Sequence, residues 1–284
     1  MDRKPSRRFA QHIDVRIGIV GLGLMGGSLA LALRRARPEL GLVGSDADPA
    51  VLREALRRGM VAEGDPRDAE VVVLAAPIPA LPELLAGLAG HPGVVTDLAS
   101  TKARVMGWAA AAGVDLVGGH PMGGRERAGI AAASPDLFEG VPWVLTRDER
   151  AVTDLVRAVG GDPIFMDAER HDRLVAGVIH SAFLVSAAYV LALAGGGEWA
   201  EMQRVAGPGF RDLSRLAAGD TELYAAIVST NREPILRSLT AVEASLARLR
   251  RHLEAGDTRL AELLEEAKEA RELWEREAAR AHGD

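Results

Sequence analysis

A short apolar, β-branched run at residues 15–20 leads straight into Gly21-Leu22-Gly23-Leu24-Met25-Gly26, and helix-forming residues follow at 28–35. A buried strand, a G-x-G-x-x-G turn and a helix, in that order, constrain the fold more than any other stretch of this chain. Gly21 permits the tight turn, Gly23 lets the backbone approach a pyrophosphate, and Gly26 lets helix and strand pack closely. The helix N-terminus then presents N–H groups and its positive dipole end to the phosphates. A second strand, Gly41–Ser45, ends at Asp46, about twenty residues past the last glycine, where a dinucleotide fold places its acid. A carboxylate there accepts from the ribose 2′-hydroxyl and repels a 2′-phosphate, and no arginine follows it, which favours NAD over NADP. Asp46 can also start the next helix, because Asp-Ala-Asp-Pro is good capping chemistry. Leu24 and Met25 in the turn, Pro77 after the third strand and Ser100 after the fourth complete the expected cofactor-binding set.

The alternation of strands and helices continues with strands at 70–75, 94–96, 115–117, 138–146 and 162–166, and helices at 102–112 and 149–159. Beyond about residue 167 the strand signals stop and helical patterns separated by glycine clusters take over. The expected organisation is therefore a basic tail at 1–14, a Rossmann-type α/β domain at 15–167 and an all-α domain at 168–284. With 284 residues, 48% hydrophobic and 26% charged, the chain has enough apolar material for both cores. The net charge of −6 offers no electrostatic footprint for nucleic acid. The absence of cysteine excludes disulfides, thiol nucleophiles and thiolate metal sites. The first residues lack the apolar core of a secretory signal. The apolar segment 174–194 is interrupted by His180, serines and Tyr189, which suits a helix buried in a dimer better than one in a membrane. A cytoplasmic protein is expected.

The segment 118–129 reads GGHPMGGRERAG, a histidine among glycines close after a strand. In an α/β sheet, polar residues at the carboxyl ends of strands face the ligand crevice. Oxidation of a carbon bearing a hydroxyl requires a hydride acceptor and a base for the hydroxyl proton. The glycine turn supplies a place for the first, and His120 is the candidate for the second, since a neutral imidazole suits that task near pH 7. Ser100 points to the same crevice or caps the next helix. The histidines show no metal-ligand spacing, and no metal is expected.

Taken in order, GLGLMGGS at 21–28, DLASTK at 97–102, GGHPMGG at 118–124, DLFEG at 136–140, HD at 171–172, IHSAF at 179–183, GFRDLSRLA at 209–217 and Asn231-Arg232-Glu233 resemble the prephenate/arogenate dehydrogenase family of tyrosine biosynthesis. The resemblance covers residues 15–255 and shows no added regulatory or mutase domain. It implies NAD-dependent oxidative decarboxylation of prephenate, with His120 as base and Ser100 beside the substrate hydroxyl and the nicotinamide. Arg215 would bind a substrate carboxylate, with Arg211 adding charge in the preceding turn. His180 matches the first histidine of a family pattern whose second histidine is Phe183 here, while His171 caps or orients the helix it begins. The loss of that second histidine leans toward arogenate or dual specificity. Arg125, beside Glu126, stands where many members carry a small residue, and a guanidinium there leans toward prephenate. A 4-amino-4-deoxyprephenate dehydrogenase and a non-catalytic NAD-sensing module are the further alternatives. The resemblance also implies a homodimer formed through the helical domain.

Overall fold

A computed structural model of the protein describes residues 16–124 and 128–282. The expected tail at 1–14, and Arg125 and Glu126, lie outside the described residues. The chain divides into two compact units, the first ending at His171 and the second beginning at Asp172.

The first unit opens with β1 (Arg16–Val20), α1 (Leu24–Ala36), β2 (Gly41–Ser45), α2 (Pro49–Arg57), β3 (Val71–Leu74), α3 (Leu81–Ala86), β4 (Val94–Asp97), α4 (Ala103–Ala111) and β5 (Leu116–Val117). The strands form a parallel sheet in the order β2-β1-β3-β4-β5. All four residues of β3 are buried, as expected for a strand covered on both faces. From β1 the chain crosses to β2 on one side and returns to β3 on the other, so the strand order reverses between β1 and β3. A doubly wound sheet binds its ligand outside the carboxyl ends of the strands at that reversal. Asp48, not Asp46, starts α2: its carboxylate accepts from Ala50 N–H at 2.8 Å, with Pro49 in the first helical position.

After β5 the chain leaves this sheet at Gly118 and enters a second one, made of β6 (Gly119–Pro121), β7 (Pro142–Leu145) and β8 (Asp162–Phe165), with α5 (Arg150–Ala158) between the last two. β6 runs antiparallel to β7, and β7 parallel to β8. Two expectations are corrected here. The histidine segment is a short strand rather than a loop, with His120 paired to Val144. The strand expected over 138–146 shrinks to Pro142–Leu145, because Gly140 adopts a left-handed φ of 68° that breaks the extended chain. Phe138 turns into the core instead and packs on Trp143, ring centroids 5.0 Å apart.

The second unit is helical, with no strand among its described residues. α6 (Ala168–Val175), whose first four residues belong to the first unit, a π-helical turn (Ala176–His180) and α7 (Ser181–Ala194) run on as one helix of 27 residues. It is followed by α8 (Trp199–Val205), α9 (Pro208–Ser214), α10 (Thr221–Thr230), α11 (Arg232–Ala255) and α12 (Arg259–His282). The long first helix is apolar enough by composition to cross a membrane. His180, Ser181 and Ser186 are nevertheless buried along it, the pattern of a polar-studded protein core.

Candidate active site

The glycine turn follows β1 at the reversal point, and its three glycines differ in what they accommodate. A Cβ on Gly21 would stand 2.7 Å from the carbonyl oxygen of Ala75 at the end of β3, and Gly21 itself has φ 92°. A Cβ on Gly26 would stand 1.9 Å from the Gly21 carbonyl oxygen, so helix and turn touch there. A Cβ on Gly23 would meet nothing within 4 Å. The protein's own packing therefore does not require that glycine, whereas the approach of a pyrophosphate would. Neither a capping side chain nor an acidic residue occupies the first turn of α1, which begins at Leu24 and Met25. The half-buried Asp46 carboxylate accepts from Leu22 N–H at 2.7 Å and from Asp48 N–H at 2.9 Å, tying the end of β2 to the turn. Pro77 follows Ala75 and Ala76 at the end of β3, the segment against which Gly21 packs. These residues fit a dinucleotide: a cradle with open space at Gly23, an uncapped helix end and a carboxylate at the rim.

Among the described residues, His120 is held from three sides. On one, the fully buried Asp97 and Lys102 form an ion pair and together grip the preceding residue, Gly119. Gly119 N–H donates to Asp97 Oδ1 at 3.0 Å, and Lys102 Nζ donates to the Gly119 carbonyl at 2.7 Å. Ala99 N–H donates to the second Asp97 oxygen at 2.9 Å. On the second side, β7 pairs with β6. On the third, His171 Nε2 lies 2.8 Å from His120 Nδ1, the rings meeting edge to face at 74°. His120 is 8% exposed and His171 0%. The glycines before His120 are required by close packing. A Cβ on Gly119 would stand 2.5 Å from the Asp97 carbonyl oxygen, and one on Gly118 would stand 2.8 Å from Thr146 Cγ2.

Ser100 lies on the segment that Asp97 and Lys102 close over Gly119, so it and His120 sit on the two arms of one clamp. α4 takes Lys102 as its N-terminal boundary, which removes the capping role for Ser100. The half-buried Ser100 stands outside the helix.

In the helical unit, Arg215 opens a short turn (Arg215–Ala218) after α9, and its side chain is exposed. Ser186 of α7 holds this turn: its hydroxyl donates to the Leu213 carbonyl at 2.8 Å and accepts from Ala217 N–H at 3.1 Å. Arg211 is exposed and pairs with the adjacent Asp212 at 3.1 Å. Phe183 and Tyr224 stack face to face, centroids 3.4 Å apart and 9° from parallel. Burial raises the Tyr224 phenol above its ordinary pKa, opposed by the positive charge of Arg215. His180 is fully buried at the end of the π-helical turn, and Asn231 Nδ2 lies 3.1 Å from its Nδ1. The same amide nitrogen donates to the Asp172 carbonyl at 2.8 Å, so it is the donor to His180 as well. A neutral His180 therefore accepts at Nδ1 and carries its proton on Nε2.

Residues 29–160 match the family described as "Prephenate dehydrogenase, nucleotide-binding domain", and residues 167–269 match "Prephenate dehydrogenase, dimerization domain". The chain belongs to the prephenate dehydrogenase family. It is 30% identical to the prephenate dehydrogenase of Lactococcus lactis over 92% of this chain and 77% of that protein. The solved arogenate dehydrogenase of Synechocystis superposes with a TM-score of 0.80 at 30% identity, covering 91% of this chain and 99% of that one. The prephenate dehydrogenase of Aquifex aeolicus, solved in complex with hydroxyphenyl propionate and NAD+, gives 0.85 at 27% identity, covering 93% and 99%. The family's two domains thus follow one another as the two units do here. Asp97 and Lys102 of the DLASTK motif and Asn231 of Asn231-Arg232-Glu233 are functional residues to which the sequence pattern alone assigns no task. The signal was present for Asp97 and Lys102, since an acid and a base inside an apolar strand-to-helix segment imply a buried pair.

Proposed function

We propose that this member of the prephenate dehydrogenase family oxidises prephenate with NAD, releasing carbon dioxide and 4-hydroxyphenylpyruvate for tyrosine biosynthesis. The observation that carries the reading is His120, whose preceding residue Gly119 is gripped by the Asp97–Lys102 clamp, on the same unit as a glycine turn with open space at Gly23. Gly21, Gly23, Leu24, Met25 and Gly26 hold the pyrophosphate, Asp46 the adenosine ribose, and Pro77 and Ser100 the nicotinamide side. NAD, when bound, accepts the hydride that leaves C4 of the substrate ring. His120 Nε2 takes the 4-hydroxyl proton as the carbon–oxygen double bond forms. Ser100 orients that hydroxyl toward the imidazole. The bond to the ring carboxylate then breaks, its electron pair makes the ring aromatic, and carbon dioxide departs. The phenolate oxygen regains the proton from the His120 imidazolium, so His120 ends as it began. Arg215 binds a substrate carboxylate through its planar guanidinium, with Arg211 and His180 as further substrate-binding residues. Arg125 and Glu126 complete the proposed set. The protein works in the cytoplasm as a homodimer formed through its helical unit.

One observation favours arogenate as a second substrate. Phe183, buried and stacked on Tyr224, puts an apolar ring at the position where the family pattern has its second histidine. NADH formation by the purified protein, with prephenate and arogenate compared at equal concentration, tests both readings. Faster turnover of prephenate is expected; a faster rate with arogenate would transfer the assignment to it. No NADH from either, with NAD still bound, would overturn the proposal in favour of an analogue such as 4-amino-4-deoxyprephenate or a sensing role.

A further inference from the structure

We propose that His171 is a positioning residue that fixes the tautomer of His120, and this inference rests on His120 being the base. The two rings share a single short contact, His120 Nδ1 to His171 Nε2 at 2.8 Å. Between two neutral imidazoles such a contact holds one hydrogen, which belongs to one ring or the other. If His171 donates, His120 carries its proton on Nε2 and has no lone pair for a substrate hydroxyl. If His120 donates from Nδ1, its Nε2 is left with the lone pair that a base requires. The reactive state is therefore the one in which His171 accepts.

His171 lies in the first turn of α6 and is fully buried, so the ring that receives the Nδ1 hydrogen is held in a fixed place throughout the reaction. When His120 takes the hydroxyl proton it becomes an imidazolium, and its Nδ1–H bond to His171 becomes charge-assisted. That strengthening exists only as the proton moves, so it lowers the barrier rather than merely tightening substrate binding. The arrangement parallels a catalytic triad in which the third member orients the imidazole and steadies its charge, with a neutral ring in place of a carboxylate. The T-shaped approach, ring centroids 5.0 Å apart, aims the edge nitrogen of one ring at that of the other and so fixes the plane of His120.

The test compares His171→Leu, which cannot accept, with His171→Gln, whose amide oxygen reaches a position close to that of Nε2. His171→Leu is expected to lower kcat by about 10- to 100-fold, the worth of a charge-assisted hydrogen bond, with KM for prephenate and affinity for NAD little changed. His171→Gln is expected to recover most of that loss. Nitrogen NMR of the protein with 15N-labelled histidine rings provides a second readout. The wild type should show His120 protonated at Nδ1, and His171→Leu a mixture of tautomers. A His171→Leu variant with kcat within twofold of wild type, or a wild-type His120 protonated at Nε2, would overturn the inference. If His171→Leu fails to fold, the wild-type spectrum and the His171→Gln kinetics decide. His120→Asn separates this inference from the reading beneath it. Undiminished turnover by His120→Asn would sink the base assignment itself, whereas an inactive His120→Asn beside a fully active His171→Leu would sink only the role of His171.

Discussion

Replacing Lys102 by methionine keeps the length of the side chain and removes its charge, which isolates the clamp beneath His120. Both members of the Asp97–Lys102 pair are fully buried, so the substitution leaves a carboxylate in the interior without its counter-charge. Breaking a buried pair by removing one partner costs about 3–5 kcal/mol. A whole domain is stable by only about 5–15 kcal/mol, so the loss is severe. At about 2–4 °C per kcal/mol for a chain of this size class, the melting temperature should fall by roughly 6–20 °C at fixed protein concentration. Lys102→Met also removes the donor to the Gly119 carbonyl, so kcat should fall while NAD still binds. The double variant Asp97→Asn/Lys102→Met carries no stranded charge and should recover part of the stability. It should remain about 1–3 kcal/mol below wild type because the Gly119 carbonyl has lost its partner. Thermal melts and urea titrations of the two single variants and the double close the cycle. A Lys102→Met variant melting within 2 °C of wild type, or a double variant that merely sums the two single losses, would refute the account of the clamp as a coupled buried pair.

Three further outcomes are expected. Gly23→Ala should fold with stability within about 0.5 kcal/mol of wild type and yet bind NAD at least tenfold more weakly, since its new methyl meets only ligand space; Gly26→Ala should fail to fold stably because its Cβ would overlap the Gly21 carbonyl. Isothermal titration with NAD and thermal melts distinguish the two, and normal NAD affinity in Gly23→Ala would contradict the cradle. Arg215→Lys should raise KM for prephenate by about tenfold or more and spare NAD affinity, because a point charge replaces a planar fork; steady-state kinetics that show no change would remove Arg215 from the substrate site. Tyr224 has a folded pKa raised above its unfolded value of about 10, so the stability it contributes is present below that pH and lost as pH rises through the folded value. Tyr224→Phe should therefore lose less stability than wild type between neutral and strongly alkaline pH, and identical alkaline profiles would exclude burial as the cause of the shift.

Much of the first unit was legible in the sequence because its signals are local. A β-branched run, three spaced glycines and an acid at the end of β2 each act through the backbone of a few neighbouring residues, so the turn at 21–26 and the strands beside it could be placed from the chain alone. The passage from alternating strands and helices to helices alone was equally plain. The 138–146 segment was misjudged for a related reason: its composition suits a strand, but the left-handed turn at Gly140 and the packing of Phe138 on Trp143 prevailed over that preference. Composition allowed Asp46 either to meet a ribose or to start α2, and the hydrogen bonds give the start of α2 to Asp48 instead.

The sequence by itself determined the fold class, the order of the domains, the glycine cradle and the candidacy of His120 as the histidine of interest. Only the tertiary structure decided what holds that histidine. Gly119 meets Asp97 across 22 residues of chain, and His120 meets His171 across 51. Asn231 reaches His180 across another 51, and Ser186 spans 27 to hold the turn that carries Arg215. Propensity and periodicity act over one or two turns of chain and therefore report local conformation. Which buried donor meets which acceptor depends on how sheets and helices close on one another, because a polar group removed from water must find its partner wherever the fold brings one.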